Sequence, residues 1–203
     1  MSGSERPTFW IVAGPNGSGK SSLYGNTEIE AFDQSVWIIN PDLLTKRIQE
    51  VEKLLLDKAN LEAVIRIERW IEASIRAHQT VGAETVLSTD KYRRLVTEAK
   101  KRQFAIRLIY VTLASPDLNV QRVKIRVQKG GHDVPEDRIR SRWGKSLAQL
   151  PWFLQEADEA VIFDNSGSVP RLVGQKRHGE VVIDPEAPIA LRSALNLPGS
   201  GVS

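Results

Sequence analysis

Gly14-Pro15-Asn16-Gly17-Ser18-Gly19-Lys20-Ser21 follows without a break on the apolar run Phe9-Trp10-Ile11-Val12-Ala13. A buried strand that delivers a G-x-x-x-x-G-K-S/T segment to a sheet edge, with a helix behind it, is the context of a phosphate-binding loop. Gly14, Gly17 and Gly19 let the backbone turn so that its N–H groups converge on phosphate oxygens. Lys20 is then expected on the β- and γ-phosphates and the Ser21 hydroxyl on Mg²⁺, with Pro15, Asn16, Ser18 and Ser22 completing the nucleotide-binding stretch. A glycine turn with no ligand gives no reason for Lys and then Ser in the last two places. The loop therefore predicts an α/β fold of the P-loop NTPase kind that binds ATP or GTP.

The 203 residues fit a single domain, with the core expected over 8–166, a hairpin within 167–184 and a flexible tail over 185–203. Hydrophobic content of 41% with 26% charged residues places the chain among soluble globular proteins. No apolar run approaches the ~18 residues of a membrane span. The short apolar stretch after Arg6 runs straight into the loop, so it is not read as a signal peptide. The absence of cysteine excludes disulfides and thiolate metal sites, and the need for ATP makes the cytoplasm the expected compartment. Charge is uneven. Residues 121–145 carry eight basic groups against three acidic ones, a net of +5 in a chain whose total is +3.

Outward from the loop, periodicity predicts a strand over 8–13 and a helix from Gly19 to Gly25-Asn26. A second strand over 36–39 ends on Asn40-Pro41-Asp42, with Asp42 capping a helix whose apolar stripe is Leu44, Ile48, Val51 and Leu55. Asp42 thus lies at the C-terminal end of a strand, where open α/β sheets bind ligands, and reads equally as a cap or as a catalytic carboxylate. A helix is predicted over 61–78, then a strand over 83–88. Glu84 on that strand either faces solvent at an edge or belongs to the site, because a carboxylate inside a sheet is costly without a partner. A helix over 92–102 and a strand over 104–113 follow, then a basic helix from Pro116 to about Gln128. Gly130-Gly131-His132-Asp133-Val134-Pro135 joins it to a second helix from Glu136 to near Leu150. A fifth strand spans 159–166, residues 169–173 and 180–183 pair about a turn at 175–179, and a short helix lies near 190–195. The expected fold is a five-stranded, mainly parallel sheet flanked by helices, with a C-terminal hairpin. The two basic helices and their glycine hinge form either a lid over bound nucleotide or a solvated helix pair.

The strand ends favour a small kinase over a motor or a GTPase. Leu108–Leu113 has no terminal Asp, and Phe163-Asp164 is followed by Asn165-Ser166 where an ATPase would carry a Glu. The loop, Ile39-Asn40-Pro41-Asp42, Glu84–Ser88, the stretch Arg122–Pro135 and Asp164-Asn165-Ser166 together resemble the zeta-toxin family of phosphate-loop kinases, from about Thr8 to Ser166. The resemblance implies ATP- or GTP-dependent phosphorylation of a small metabolite. In the best-known members this is a UDP-N-acetyl amino sugar, with an antitoxin protein blocking the nucleotide site. It also implies Asp42 as general base, Lys20 as phosphate lysine, Glu84 as strand-three acid and Arg126 as lid arginine. Two places depart from the family. Val86 and Ser88 stand where toxins of that type place a Thr and an Arg on the sugar. His132 stands near the second lid arginine, with Arg138, Arg140 and Arg142 just beyond it, so His132 joins the candidates. The rivals are a polynucleotide kinase and a nucleotide-dependent switch without catalysis. Trp143 is the single aromatic within the basic stretch, so nucleic acid is not the expected partner, and neither is a membrane.

Overall fold

The computed structural model describes residues 6–26 and 38–196. β1 (Thr8–Ala13) is central, since all but its first residue is buried, and its side chains alternate between two apolar clusters. It is flanked in parallel by β3 (Val81–Thr85) and β4 (Ala105–Thr112), the latter followed outward by β5 (Glu159–Asp164). β2 (Ile38–Ile39) pairs in parallel with β3 at the other end. Residues 36 and 37 of the expected second strand lie outside the described residues.

The sheet does not stop at five strands. β6 (Arg171–Arg177) pairs antiparallel with β5, and β7 (Glu180–Ile183) with β6, giving the order β2-β3-β1-β4-β5-β6-β7 among the described residues. The turn is confined to His178-Gly179, shorter than the 175–179 read from the sequence. Both residues have positive φ (50° and 84°), as a two-residue turn matching the twist of a hairpin requires.

One face of the sheet carries the main core. Phe9, Ile11 and Ala13 pack there with Ile67, Ile71 and Ile75 of α3 (Leu56–Arg76), Leu95 and Val96 of α4 (Lys91–Lys101), and Leu150 and Phe153 of α6 (Glu136–Glu156). The opposite face is smaller: Trp10, Val12, Ile109 and Val111 meet Leu23 of α1 (Lys20–Asn26). The described part of the stretch expected as a flexible tail, 185–196, is built into the first face through the buried Leu191 of α7 (Ile189–Ala194) and Ala187 in its approach; 197–203 lie outside the described residues. No helix among the described residues is long and apolar enough to cross a membrane.

Two expectations at α2 (Pro41–Glu52) require correction. The residue capping the helix is Asn40, whose Oδ1 accepts from the backbone N–H groups of Asp42 and Leu43; Asp42 is already in the first turn. The apolar stripe ends at Ile48: Val51, still within the helix, is exposed, and Lys53 adopts a left-handed backbone (φ 56°) that stops the helix before Leu55, exposed as well.

Candidate active site

The phosphate loop lies between the C-terminal ends of β1, β3 and β4, held there by close backbone contact. Gly14 N–H donates to Thr85 O, and a Cβ on Gly14 would fall 2.1 Å from the carbonyl oxygen of Val111, so no other residue fits. Gly19 (φ 91°) makes room for Asn165, which follows β5 and donates from Nδ2 to Ser18 O. Asn119 of α5 (Pro116–Gln128) holds the other side, donating to Asn16 O.

A cleft of about 770 Å³ opens over this loop, lined by loop residues, Asp42, Glu84, Val86, Arg122, Ile125, Arg126, Lys129, Asn165 and the turn at 167–170. Lys20 is buried at its floor. Its ammonium donates to Gly14 O (2.8 Å) and Pro15 O (3.2 Å) and stands 3.8 Å from Glu84 Oε1. Burial pushes its pKa down and the Arg126 charge adds to that, while the carboxylates of Glu84 and Asp42 oppose both. Ser21 Oγ donates to Glu84 Oε2 at 2.9 Å, so the carboxylate read as an edge or site residue belongs to the site. Among the described residues no cluster of three His, Cys, Asp or Glu side chains could hold a metal unaided. A hydroxyl and a carboxylate beside a phosphate site are nonetheless hard oxygen donors of the kind Mg²⁺ uses together with phosphates and water. Ser21 and Glu84 would hold it. The Ser18 hydroxyl is fully buried within the loop, has no protein partner and does not line the cleft.

Asp42 faces the loop from the first turn of α2 and meets α5: Arg126 Nη1 lies 3.8 Å from Asp42 Oδ2, while Arg126 Nη2 donates to the carbonyl of His132. His132 contributes that backbone carbonyl; the residue is exposed and does not line the cleft, so its candidacy as a side-chain catalyst is not carried by the geometry. The lid helices are tied by a small cluster of Val120, Val123, Val134 and Ile139, and Gly130 (φ 83°) turns the chain between them. Of the three arginines left open, Arg140 is engaged by Asp117 and Glu136, and Arg138 is exposed, whereas Arg142 reaches the loop at Asn16 Oδ1 (3.3 Å). Sequence reasoning missed Arg122. It lies four residues before Arg126 on one helix face and donates to Asn165 O and Gly167 O at the cleft wall. The basic stretch is thus turned largely inward or paired with acids. Trp143 is half-buried and donates to Leu113 O, which removes it as a stacking platform for nucleic acid.

A family model described as Zeta toxin matches residues 1–170. An uncharacterized protein of Haemophilus influenzae is 28% identical over 147 residues, covering 68% of this chain and 99% of that protein. Among solved structures, the AvrRxo1-ORF1:-ORF2 complex with ATP superposes with a TM-score of 0.72 at 14% identity, over 98% of this chain and 66% of that one. The PezAT toxin–antitoxin system of Streptococcus pneumoniae gives 0.59 at 16% identity, over 80% of this chain and 69% of the other. At these identities the likeness is one of fold. The chain spans just under two thirds of the AvrRxo1-ORF1:-ORF2 chain.

Proposed function

Because the chain belongs to the zeta-toxin family, we propose that it is a nucleotide-dependent small-molecule kinase that transfers the γ-phosphoryl of ATP or GTP to a metabolite hydroxyl. The observation that carries the reading is the convergence on one cleft of a buried lysine, a hydroxyl–carboxylate pair, a facing carboxylate and lid arginines. Lys20 leaves the loop carbonyls to meet the β- and γ-phosphates. Ser21 and Glu84 would hold Mg²⁺, which when bound neutralises phosphate charge. Asp42 orients the acceptor hydroxyl and takes its proton as oxygen attacks phosphorus and the bond to the β-phosphate oxygen breaks. Arg126 exchanges Asp42 for the transferring phosphoryl group. Val86 on the cleft wall replaces a polar contact of the best-known family members, so a nucleotide sugar is the first acceptor to try and not the only one. An antitoxin-like protein covering the cleft is part of the proposal, supported by the two-component character of the PezAT system.

The test is incubation with ATP, Mg²⁺ and a metabolite panel that includes UDP-sugars, read by mass spectrometry for one added phosphate. A phosphorylated small molecule supports the reading. Phosphate appearing on oligonucleotide ends alone would replace it with the polynucleotide-kinase reading, and ATP binding without transfer would replace it with the switch.

Two consequences concern the lid. Hydrogen exchange across Arg122–Arg142 is expected to slow on saturation with nucleotide and acceptor, since bound phosphates give the cleft-lining Arg122, Arg126 and Lys129 partners that tie α5 to the loop. Equal exchange in both states would remove the lid from the mechanism. Arg126→Ala is expected to lower kcat by about a thousandfold, as removal of an arginine from a transferring phosphoryl group does. A change confined to KM would make Arg126 a substrate-holding residue.

A further inference from the structure

The side chain of Asn40 makes hydrogen bonds in two directions. Its Oδ1 accepts from the N–H groups of Asp42 (2.9 Å) and Leu43 (3.2 Å), closing the first turn of α2. Its Nδ2 donates to Glu84 Oε2 (3.0 Å) and to Ser21 Oγ (3.2 Å), the pair that would hold the metal. One planar amide therefore spans from the backbone of the proposed base to the acid and hydroxyl of the phosphate site. Ser, Asp and Asn cap helices about equally well, so capping alone does not demand asparagine. Accepting from a helix while donating to a carboxylate does: serine is too short to do both, and an Asp would set a second carboxylate where Glu84 now receives a hydrogen bond.

We propose that Asn40 is a positioning residue for phosphoryl transfer, locking Asp42 to the Ser21–Glu84 pair so that base and metal-binding hydroxyl keep one separation as substrates enter. The proposal rests on the kinase reading above. It acts through α2: Asp42 lies two residues beyond the cap, so a shift of the helix end relative to the loop moves the carboxylate by the same amount. Displacements of about 1 Å in a reacting geometry cost on the order of a hundredfold.

The experiment compares Asn40→Ser, Asp42→Asn and the double variant, using transfer from γ-labelled ATP with Mg²⁺ into a bacterial small-metabolite extract. Asn40→Ser is expected to lose about tenfold to a hundredfold in kcat while KM for ATP moves by less than about threefold. Its melting temperature and the exchange protection of the Asp42 and Leu43 amides should stay close to wild type, because serine still caps. The double variant should be about as slow as Asp42→Asn alone, since positioning a residue that no longer accepts a proton has no value. Independent, multiplying losses overturn the proposal, as does wild-type kcat in Asn40→Ser. Should serine fail to protect the amides, Asn40→Asp keeps the cap and lacks the donor. Its kcat is expected to fall likewise, and a wild-type value overturns the proposal. No transfer by the wild-type protein overturns the kinase reading and this inference with it, whereas transfer with multiplying losses overturns the inference alone.

Discussion

Lys20→Ala is expected to reduce phosphoryl transfer by at least about a thousandfold while the protein remains folded. The ammonium is buried at the cleft floor and its protonated form is disfavoured there, so removing it also removes a desolvation cost. Glu84, its acidic neighbour, keeps donors from Ser21 and Asn40. What is lost is the positive charge for the β- and γ-phosphates. That charge is held by the loop's own carbonyls at Gly14 and Pro15, contacts that a phosphate oxygen can replace. Steady-state transfer with circular dichroism checks both halves. Near wild-type turnover would detach this loop from the chemistry, and loss of the folded signal would make Lys20 structural.

Asp42→Asn is expected to bind ATP–Mg²⁺ about as well as wild type and to lose roughly a hundredfold or more in transfer, the lower range of a general-base contribution. The helix cap belongs to Asn40, so the substitution leaves it in place. The ion pair it breaks with Arg126 is 3.8 Å long with the Asp42 side chain 57% exposed, a contact of about 1 kcal/mol or less. Asparagine keeps the size and one acceptor oxygen but cannot take a proton. Calorimetric ATP affinity measured beside the transfer rate separates the two roles. Retained transfer with an earlier melt would return Asp42 to a structural part and move the search for the base to Glu84.

Much of this was legible because short-range patterns suffice for it. The loop and β1 need only a strict spacing and an apolar run, and Thr8–Ala13 has the expected bounds. The two basic helices are legible from charge and from the Gly130-Gly131 interruption. The cap at α2 is readable from the sequence, and placing it at Asp42 sets it two residues late: proline favours the first helical position, so Pro41 makes Asn40 the cap. The joining of β6 to β5 depends on how the connection over 165–170 reverses the chain and on a register that shifts between Ile162 and Phe163, which residue alternation does not carry. The burial of Ala187 and Leu191 is masked by the neighbouring prolines, and Ala187 lies before the cap of α7, where helical spacing does not reach it. Arg122 was counted with the basic segment and not separated from it, because only the fold shows which arginines turn inward.

The most direct measurement follows the label from γ-labelled ATP, in the presence of Mg²⁺ and a bacterial metabolite extract, with Lys20→Ala and Asp42→Asn run alongside wild type. The account predicts label in an acid-soluble small-molecule phosphate ester formed by wild type, absent with the lysine variant and reduced about a hundredfold with the aspartate variant. Label remaining in ATP and inorganic phosphate, or entering the ester equally with all three proteins, would contradict it.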